Sequence, residues 1–305
     1  MSKKTIFIFI SISAFLGFSA SFMQNRRKSE SKVLSAVPST ETSTEFQEVS
    51  TVLKPKISSF TELETYISST NGQFAVHVKD LTTQQEYKIN SDHSFYGASI
   101  YKILVAGAFY EALANDFLSF NYIYMYEPVD YCDGSGVLQN YKIGSSYSIG
   151  ELLDYLLKYS DNIAQNILVR NIGVGKVADF YRKYYDFSES ATFSSDLYIT
   201  PEKVSNIFYN IYQKDSWSKE LRREFFSRMT DTQFEDRIAR TLLEELTFSH
   251  KIGSAPAVNS WHDCGIVFAE DFMRPTLVCL MSKNTTYEDF LDVSHVVGSF
   301  INSIY

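Results

Sequence analysis

Cysteine is scarce in this sequence. Three cysteines among 305 residues, an odd number, exclude a disulfide scaffold, and the spacing of Cys132, Cys264 and Cys279 does not suggest a metal site. Cys264 and Cys279 flank a predicted hairpin and could face each other as a cross-strand disulfide, whereas buried free thiols are the default expectation. Nothing in the sequence implies a metal or an organic cofactor, and we expect neither.

Net positive charge is also missing, as is any internal repeat. The formal net charge is -8 at pH 7, which argues against a nucleic-acid partner because phosphate binding needs a basic face. The chain is instead 45% hydrophobic and 15% aromatic, which is typical of a folded globular protein. Its length allows one large domain or two, and we expect a monomer.

The N-terminal residues differ in character from the rest of the chain. Two lysines precede an apolar run at residues 5–23, and three basic residues follow it at 26–28. This pattern predicts a signal peptide or an uncleaved membrane anchor at residues 1–28, and hence an extracytoplasmic protein that is secreted or membrane-anchored. Residues 29–56 are rich in Ser, Thr, Glu and Lys and predict a disordered linker before a folded region at 57–305.

Hydrophobic periodicity predicts the order helix, two strands, many helices, three strands, helix. The last helix is predicted to be amphipathic, with Phe290, Val293, Val297 and Ile301 along one face. Hairpins on both sides of the helical region indicate an α+β fold, with one five-stranded antiparallel sheet, terminal helices packed together and an all-helical insert. We expect the helical lobe at about residues 95–245, and the sheet lobe at about 57–94 and 246–305. A cleft between such lobes is a natural binding place.

A hydroxyl and an ammonium interrupt an otherwise apolar segment, YGASIYKILVAGAFYEAL. The apolar spacing predicts a helix from Ser99 to Asn115, on which Ser99 and Lys102, three residues apart, share one face. Apolar surroundings would partly desolvate Lys102 and lower its pKa, which would make it a base able to activate the serine. The pair alone is weak, because an N-cap serine with a snorkelling lysine gives the same pattern.

Two further motifs follow in order. Ser160-Asp161-Asn162 stands directly before a predicted helix, and SHKIGS places Lys251 and Gly253 on a predicted strand. Ser-x-x-Lys, Ser-Asp-Asn and Lys-Thr/Ser-Gly in this order are the motifs of class A β-lactamases and penicillin-binding proteins. The chain resembles this family from about residue 60 to residue 305, including the segments GSGVLQ and LYITPEKVSNIF.

The resemblance implies catalytic roles for three side chains. Ser99 corresponds to the acylated nucleophile, and Lys102 to the group that helps to take its proton. Ser160 would pass a proton to the departing nitrogen of the substrate. Asn162 would bind the substrate amide and support Lys102. Taken separately, Ser160 and Asp161 would be only a helix cap, and Lys251 only a surface lysine.

The third motif supplies the remaining contacts that the resemblance implies. Lys251 would place positive charge near Ser160 and near a substrate carboxylate. The backbone N–H groups of Ser99 and Ser254 would hold the oxyanion. Gly253 would let the substrate lie along the strand as an added edge.

The chain departs from the family where deacylation is concerned. Class A enzymes carry a loop glutamate that activates the deacylating water, and no Glu-x-x-Leu-Asn sequence stands between Ser160 and Pro201. Glu189 and Asp196 are the only acids after Asp186 in this stretch. Asp196 is the candidate substitute, although solvated loop acids would look the same.

The chain also departs where a substrate carboxylate would bind. Ile252 replaces the usual hydroxyl of the third motif, with Ser254 as the candidate substitute. Cys264 stands where many relatives have an arginine, and Arg274 lies too far along the turn. His250 and His262 could contribute, although surface or strand histidines are the plainer interpretation.

Together these features predict an exported active-site serine hydrolase with an acyl-enzyme mechanism on a β-lactam or a D-alanyl peptide amide, and with weak deacylation. The alternative is a penicillin- or peptidoglycan-binding module of the cell envelope that does not turn over. The third hypothesis is a structural or partner-binding protein of the cell envelope that keeps the site residues without catalytic activity, since fold does not fix function.

Overall fold

Nine strands occur in the part of the chain that the structure, a computed structural model, describes: residues 57–184, 197–270 and 272–305. They are β1 Gln73–Asp80, β2 Glu86–Ile89, β3 Phe95–Tyr96, β4 Ile123–Met125, β5 Ser146–Ser148, β6 Tyr198–Ile199, β7 Leu246–Ala255, β8 Ser260–Ala269 and β9 Met273–Lys283. Five of them form an antiparallel sheet in the order β2-β1-β9-β8-β7. β3 pairs with β6, and β4 pairs with β5.

Eight α-helices occur in the same described residues. They are α1 Phe60–Ser69, α2 Lys102–Ala114, α3 Ile149–Lys158, α4 Asn162–Ile172, α5 Val174–Tyr184, α6 Pro201–Tyr212, α7 Lys219–Ser227 and α8 Tyr287–Asn302. The terminal helices α1 and α8 pack together, and α6 contacts β1, β8 and β9. The predicted α+β fold with a five-stranded antiparallel sheet is confirmed.

Four strands of the sheet, β1, β7, β8 and β9, are largely buried on both faces because helices cover both sides of the sheet. In β1, Phe74, Val76 and Val78 join one apolar cluster with residues of α1 and α8, while Ala75 joins a second cluster with the remaining helices. Alternate residues of one strand thus belong to different cores, as the pleat requires. The site described below lies on the side of the second cluster.

The apolar stripe predicted on the C-terminal helix is the buried face of α8. Phe290, Val293, Val297 and Ile301 have no solvent exposure. Thr286 caps the helix by accepting a hydrogen bond from the Asp289 N–H. Hydrophobic spacing alone was therefore enough to predict this helix.

The structure corrects three details. Ser99 lies in a 3₁₀ turn, Ala98–Tyr101, and the α-helix predicted from Ser99 begins at Lys102. Cys264 and Cys279 are opposite each other in β8 and β9 and form a disulfide, so the default expectation of free thiols was wrong for this pair. The two small sheets were not predicted, since two- and three-residue strands are too short to show periodicity. The helix α7 was not predicted either.

The predictions for residues 1–56 and for Asp196 lie outside the described residues. Among the described residues, none of the helices is both long and apolar enough to cross a membrane. No group of three or more His, Cys, Asp or Glu side chains in those residues is arranged to hold a metal ion.

Candidate active site

Ser99 opens onto a cavity of about 410 Å³ between the start of α2 and the end of β7. The side chain is half-buried. Within the described chain its hydroxyl has no hydrogen-bond partner. The residues that line the cavity are Tyr96, Ala98, Ser99, Tyr101, Asn162, Ser254, Ala255, Ala257 and Val258.

Lys102 is completely buried one turn beyond Ser99. Its Nζ donates hydrogen bonds to Ser160 O, to Ser160 Oγ at 3.3 Å and to Asn162 Oδ1 at 2.7 Å. Burial lowers the pKa of Lys102 to about 7, against the opposing charge of Asp161. A substantial fraction of the amine is therefore neutral at physiological pH and able to accept a proton.

Ser160 lies in the turn between α3 and α4 in a left-handed backbone conformation, with φ +52°. This conformation is unusual for a residue with a Cβ and persists only where the surroundings enforce it. Its fully buried hydroxyl receives hydrogen bonds from both lysines of the site, Lys102 and Lys251. Ser160 is thus the point at which the two lysines meet.

Asp161 holds this turn in place. As the N-cap of α4, its carboxylate accepts hydrogen bonds from the N–H groups of Ile163 and Ala164 at 2.8 and 2.9 Å. Its second oxygen accepts from the N–H groups of Val137 and Leu138 at 2.6 and 2.8 Å. Four backbone donors on one buried carboxylate make the Ser-Asp-Asn turn rigid.

Two glycines of the segment GSGVLQ allow its backbone to approach this turn closely. Gly136 has φ +113°, and a Cβ at this position would lie 2.2 Å from Asp161 Oδ2. A Cβ on Gly134, with φ +116°, would lie 2.8 Å from Asn162 Nδ2. Only glycine satisfies both the backbone angle and the close approach.

Lys251 reaches the site from β7. It is 1% exposed, and its Nζ donates to Ser160 Oγ at 2.9 Å and to Ile252 O at 3.1 Å. Burial, followed by the charges of Lys102 and Arg237, lowers the pKa of Lys251 well below its usual value. The structure thus brings the predicted residues Ser99, Lys102, Ser160, Asn162 and Lys251 together, while their catalytic roles stay predictions.

The end of β7 forms one wall of the cavity. A Cβ on Gly253 would lie 3.0 Å from Gly97 O and 2.8 Å from His262 Cδ2, so glycine allows the strand to approach the segment before Ser99. Ser254 is exposed and lines the cavity. The two N–H groups predicted to hold an oxyanion therefore belong to two residues of one cavity.

Arg237 is a residue of the site that the sequence did not reveal. It is 2% exposed, and its guanidinium donates to Ser254 Oγ at 2.7 Å and to His262 O at 2.5 Å. The rings of Tyr287 and Phe290 lie 5.7 and 5.4 Å from the guanidinium carbon. Since Arg237 belongs to an irregular segment before β7, no periodicity marks it as buried.

This arginine changes the interpretation of the carboxylate side of the cavity. Cys264, the residue expected in place of an arginine, is fully buried in the disulfide. Arg274 stacks on Tyr305 at 5.1 Å, away from the cavity. His250 and His262 are buried and do not line the cavity.

The profile of the Beta-lactamase enzyme family matches residues 59–302, which is most of the sequence. The chain belongs to the beta-lactamase enzyme family. The predicted resemblance is confirmed. Membership of this family supports a serine hydrolase site at the Ser99 cavity.

Two curated members of the beta-lactamase family are similar to the chain over part of its length. Beta-lactamase ROB-1 of Haemophilus influenzae is 31% identical over 101 residues, which are 33% of this chain and 32% of that protein. Beta-lactamase 1 of Bacillus cereus is 31% identical over 114 residues, 37% of this chain and 35% of that protein. The chain therefore spans about a third of the length of these relatives in the matched regions.

Solved structures of beta-lactamase-like proteins share the fold. PBP-A has a TM-score of 0.71 at 17% identity, over 80% of this chain and 94% of that chain. An ancestral class A beta-lactamase has a TM-score of 0.70 at 18% identity, over 80% of this chain and 99% of that one. The beta-lactamase of Francisella tularensis has a TM-score of 0.69 at 16% identity, over 80% and 99%.

Proposed function

We propose that this protein is an exported active-site serine hydrolase that forms an acyl-enzyme with β-lactams or D-alanyl peptide amides and deacylates slowly. The convergence of two buried lysines on Ser160, beside Ser99 in an open cavity, is the observation that supports it. Family membership supports the same class of reaction.

Acylation begins with proton transfer from Ser99. Neutral Lys102 accepts the proton of the Ser99 hydroxyl as Oγ bonds to the carbonyl carbon of the substrate amide. The carbonyl oxygen gains the negative charge and accepts hydrogen bonds from the N–H groups of Ser99 and Ser254.

Expulsion of the nitrogen completes acylation. The C–N bond breaks as the Ser160 hydroxyl gives its proton to the leaving nitrogen. Ser160 Oγ then regains a proton from the Lys102 ammonium, whose Nζ lies 3.3 Å away. Lys251 donates a hydrogen bond to the same oxygen at 2.9 Å and holds it in place during this exchange.

Positive charge near Ser254 suits a substrate carboxylate. Both β-lactams and D-alanyl peptides carry a carboxylate next to the scissile amide. The Ser254 hydroxyl is exposed and held by Arg237, so it can donate its own proton to a carboxylate oxygen while the guanidinium supplies charge. This arrangement replaces the hydroxyl that Ile252 lacks.

The expectation of slow deacylation rests on the sequence, in which no Glu-x-x-Leu-Asn stands between Ser160 and Pro201. A missing water-activating base typically slows hydrolysis by about a hundredfold to ten-thousandfold. The same observation favours the second candidate function, a binding module whose penicillin adduct persists.

Intact-mass measurement after incubation with a fluorescent penicillin tests these proposals. We expect an adduct on the protein that is absent in Ser99→Ala. An adduct that clears within seconds would indicate efficient hydrolysis and contradict slow deacylation. An adduct that persists for hours would support the binding module, and no adduct would leave only a structural role.

We also propose that residues 1–28 export the protein or anchor it in a membrane, with residues 29–56 as a linker. The apolar run between basic residues supports this. Cell fractionation should find the full chain outside the cytoplasm, and a chain lacking residues 1–28 inside it. Equal distribution of both would overturn the assignment.

A further inference from the structure

His262 is buried beside the active site without lining it. It lies on β8, opposite Gly253 of β7, and has no solvent exposure. Its Nε2 lies 2.7 Å from Tyr96 O, and its Nδ1 lies 3.3 Å from the N–H nitrogen of Ser282 on β9. One side chain therefore joins the sheet to the short strand β3.

The hydrogen bonds fix the proton on one ring nitrogen. The Ser282 N–H can only donate, so Nδ1 must be the acceptor and Nε2 must carry the hydrogen that Tyr96 O accepts. Burial lowers the pKa of His262 to about 4, and the charge of Arg237 acts in the same direction. The imidazole is neutral over the pH range in which the proposed chemistry operates.

Tyr96 is the start of the segment that presents the nucleophile. Gly97 follows, and its N–H donates to Leu197 O at 2.8 Å. Ala98 then takes a left-handed conformation, with φ +45°, immediately before Ser99. Such a conformation has to be enforced by its surroundings, and the His262 hydrogen bond fixes the chain two residues earlier.

The same imidazole also touches the opposite wall of the cavity. A Cβ on Gly253 would lie 2.8 Å from His262 Cδ2, so the ring packs against the backbone directly before Ser254. The main-chain oxygen of His262 accepts from Arg237, which in turn holds the Ser254 hydroxyl. His262 therefore contacts both segments that carry the predicted oxyanion donors.

We infer that His262 is a positioning residue: by donating to Tyr96 O and packing on Gly253, it sets the spacing between the Ser99 and Ser254 N–H groups. This inference rests on the proposed function. A displacement of about 1 Å between reacting groups can lower the reaction rate about a hundredfold. A buried residue that sets the spacing of the two N–H groups can therefore affect the acylation rate strongly.

The test compares two substitutions by the acylation rate with fluorescent penicillin. His262→Leu removes the donor, and we expect a loss of about tenfold to a hundredfold in the acylation rate constant with little change in the penicillin affinity before acylation. His262→Gln keeps an uncharged N–H donor, and we expect it to restore the rate to within a few-fold of the original.

His77→Leu is the matched control. His77 is another buried histidine of the sheet, 1% exposed, whose Nε2 lies 2.8 Å from Glu86 Oε1 on β2, outside the cavity. We expect this variant to lose thermal stability and to acylate at the original rate. A His262→Leu protein that acylates as fast as His77→Leu would overturn the inference, and so would a Gln variant as slow as the Leu variant.

Two results separate this inference from the proposed function. If the unsubstituted protein forms no adduct, the proposed function fails and the inference with it; if it does and His262→Leu is unaffected, only the inference fails. Should the Leu variant not fold, ¹⁵N NMR of the unsubstituted protein decides. A neutral ring protonated on Nε2 at pH 7 supports the inference, and an Nδ1–H ring or an imidazolium overturns it.

Discussion

The three hydrogen-bond acceptors of the buried Lys102 amine are neutral oxygens. Two belong to Ser160 and one to Asn162, so no carboxylate contact replaces the hydration that the ammonium loses. Asp161 acts only at longer range, because its oxygens are occupied by four backbone N–H groups. This explains why burial is the dominant influence on the Lys102 pKa.

We predict that Ser99 acylation depends on pH through Lys102. The neutral amine is the reactive form and its pKa is about 7. The second-order rate with fluorescent penicillin should therefore fall about tenfold per unit below pH 7 and level off above it. Lys102→Ala should lower the acylation rate by about a hundredfold to ten-thousandfold without unfolding the protein.

Stopped-flow or gel-based labelling between pH 5 and 9 measures this profile, with far-ultraviolet circular dichroism as the folding control. A flat profile in the original protein, or normal labelling of Lys102→Ala, would remove Lys102 from the proposed mechanism. Lys251 is a second buried amine of lowered pKa, so a Lys251→Ala profile assigns the titration to one lysine or the other.

Most of the longer helices and strands were predictable, with α7 as an exception, whereas the irregular segments were not. The stripe of Phe290, Val293, Val297 and Ile301 placed α8, and the Ser-Asp-Asn motif placed the start of α4. Arg237 was missed because its burial depends on aromatic rings brought from α8, which no local pattern encodes. For Cys264 and Cys279, the sequence showed only that a disulfide between two neighbouring strands was possible.

We predict that Gly136→Ala damages the loop that supports the Ser-Asp-Asn turn. The new Cβ would lie 2.2 Å from Asp161 Oδ2 in a backbone with φ +113°. Steric overlap and backbone strain should together lower the free energy of unfolding by about 1–3 kcal/mol, and displacement of Ser160 should slow acylation.

Gly144→Ala is the control for backbone strain alone. Gly144 also has positive φ, +93°, but a Cβ there meets nothing within 4 Å. Urea denaturation and penicillin labelling of both variants measure the difference. Equal losses of stability and equal labelling rates would show that the contact with Asp161 is unimportant.

On the scale of the whole molecule, a buried charge cluster links β7, β8 and the segment before them. His250 is fully buried; its Nδ1 lies 2.6 Å from Asp263 Oδ1, and its Nε2 lies 3.3 Å from Glu235 Oε1 and 3.2 Å from Thr232 Oγ1. The two acids outweigh desolvation and raise the pKa of His250 to about 9. These contacts exist only in the folded protein.

We predict that this cluster makes stability depend on pH. The folded His250 pKa of about 9 exceeds the usual 6.5, so the contribution is complete below about pH 6.5 and is lost as pH rises through 9. Its size is at most about 3 kcal/mol, from 1.36 kcal/mol per pKa unit. Urea denaturation of the original protein and of His250→Gln from pH 6 to 9.5 should show a stability difference that shrinks as pH rises, because the buried lysines contribute equally to both curves. Parallel curves would contradict it.

The position of β7 at the end of the sheet order has a consequence for selectivity. A guest that joins an open strand edge is recognised by its main-chain groups, while every second side chain points away from the protein. We therefore predict that a substrate bound along the Gly253–Ala255 edge is selected weakly by its outward-pointing side chains and strictly by its chain direction and handedness. Peptide libraries varied at alternate positions should give nearly uniform occupancy, whereas mirror-image libraries should not.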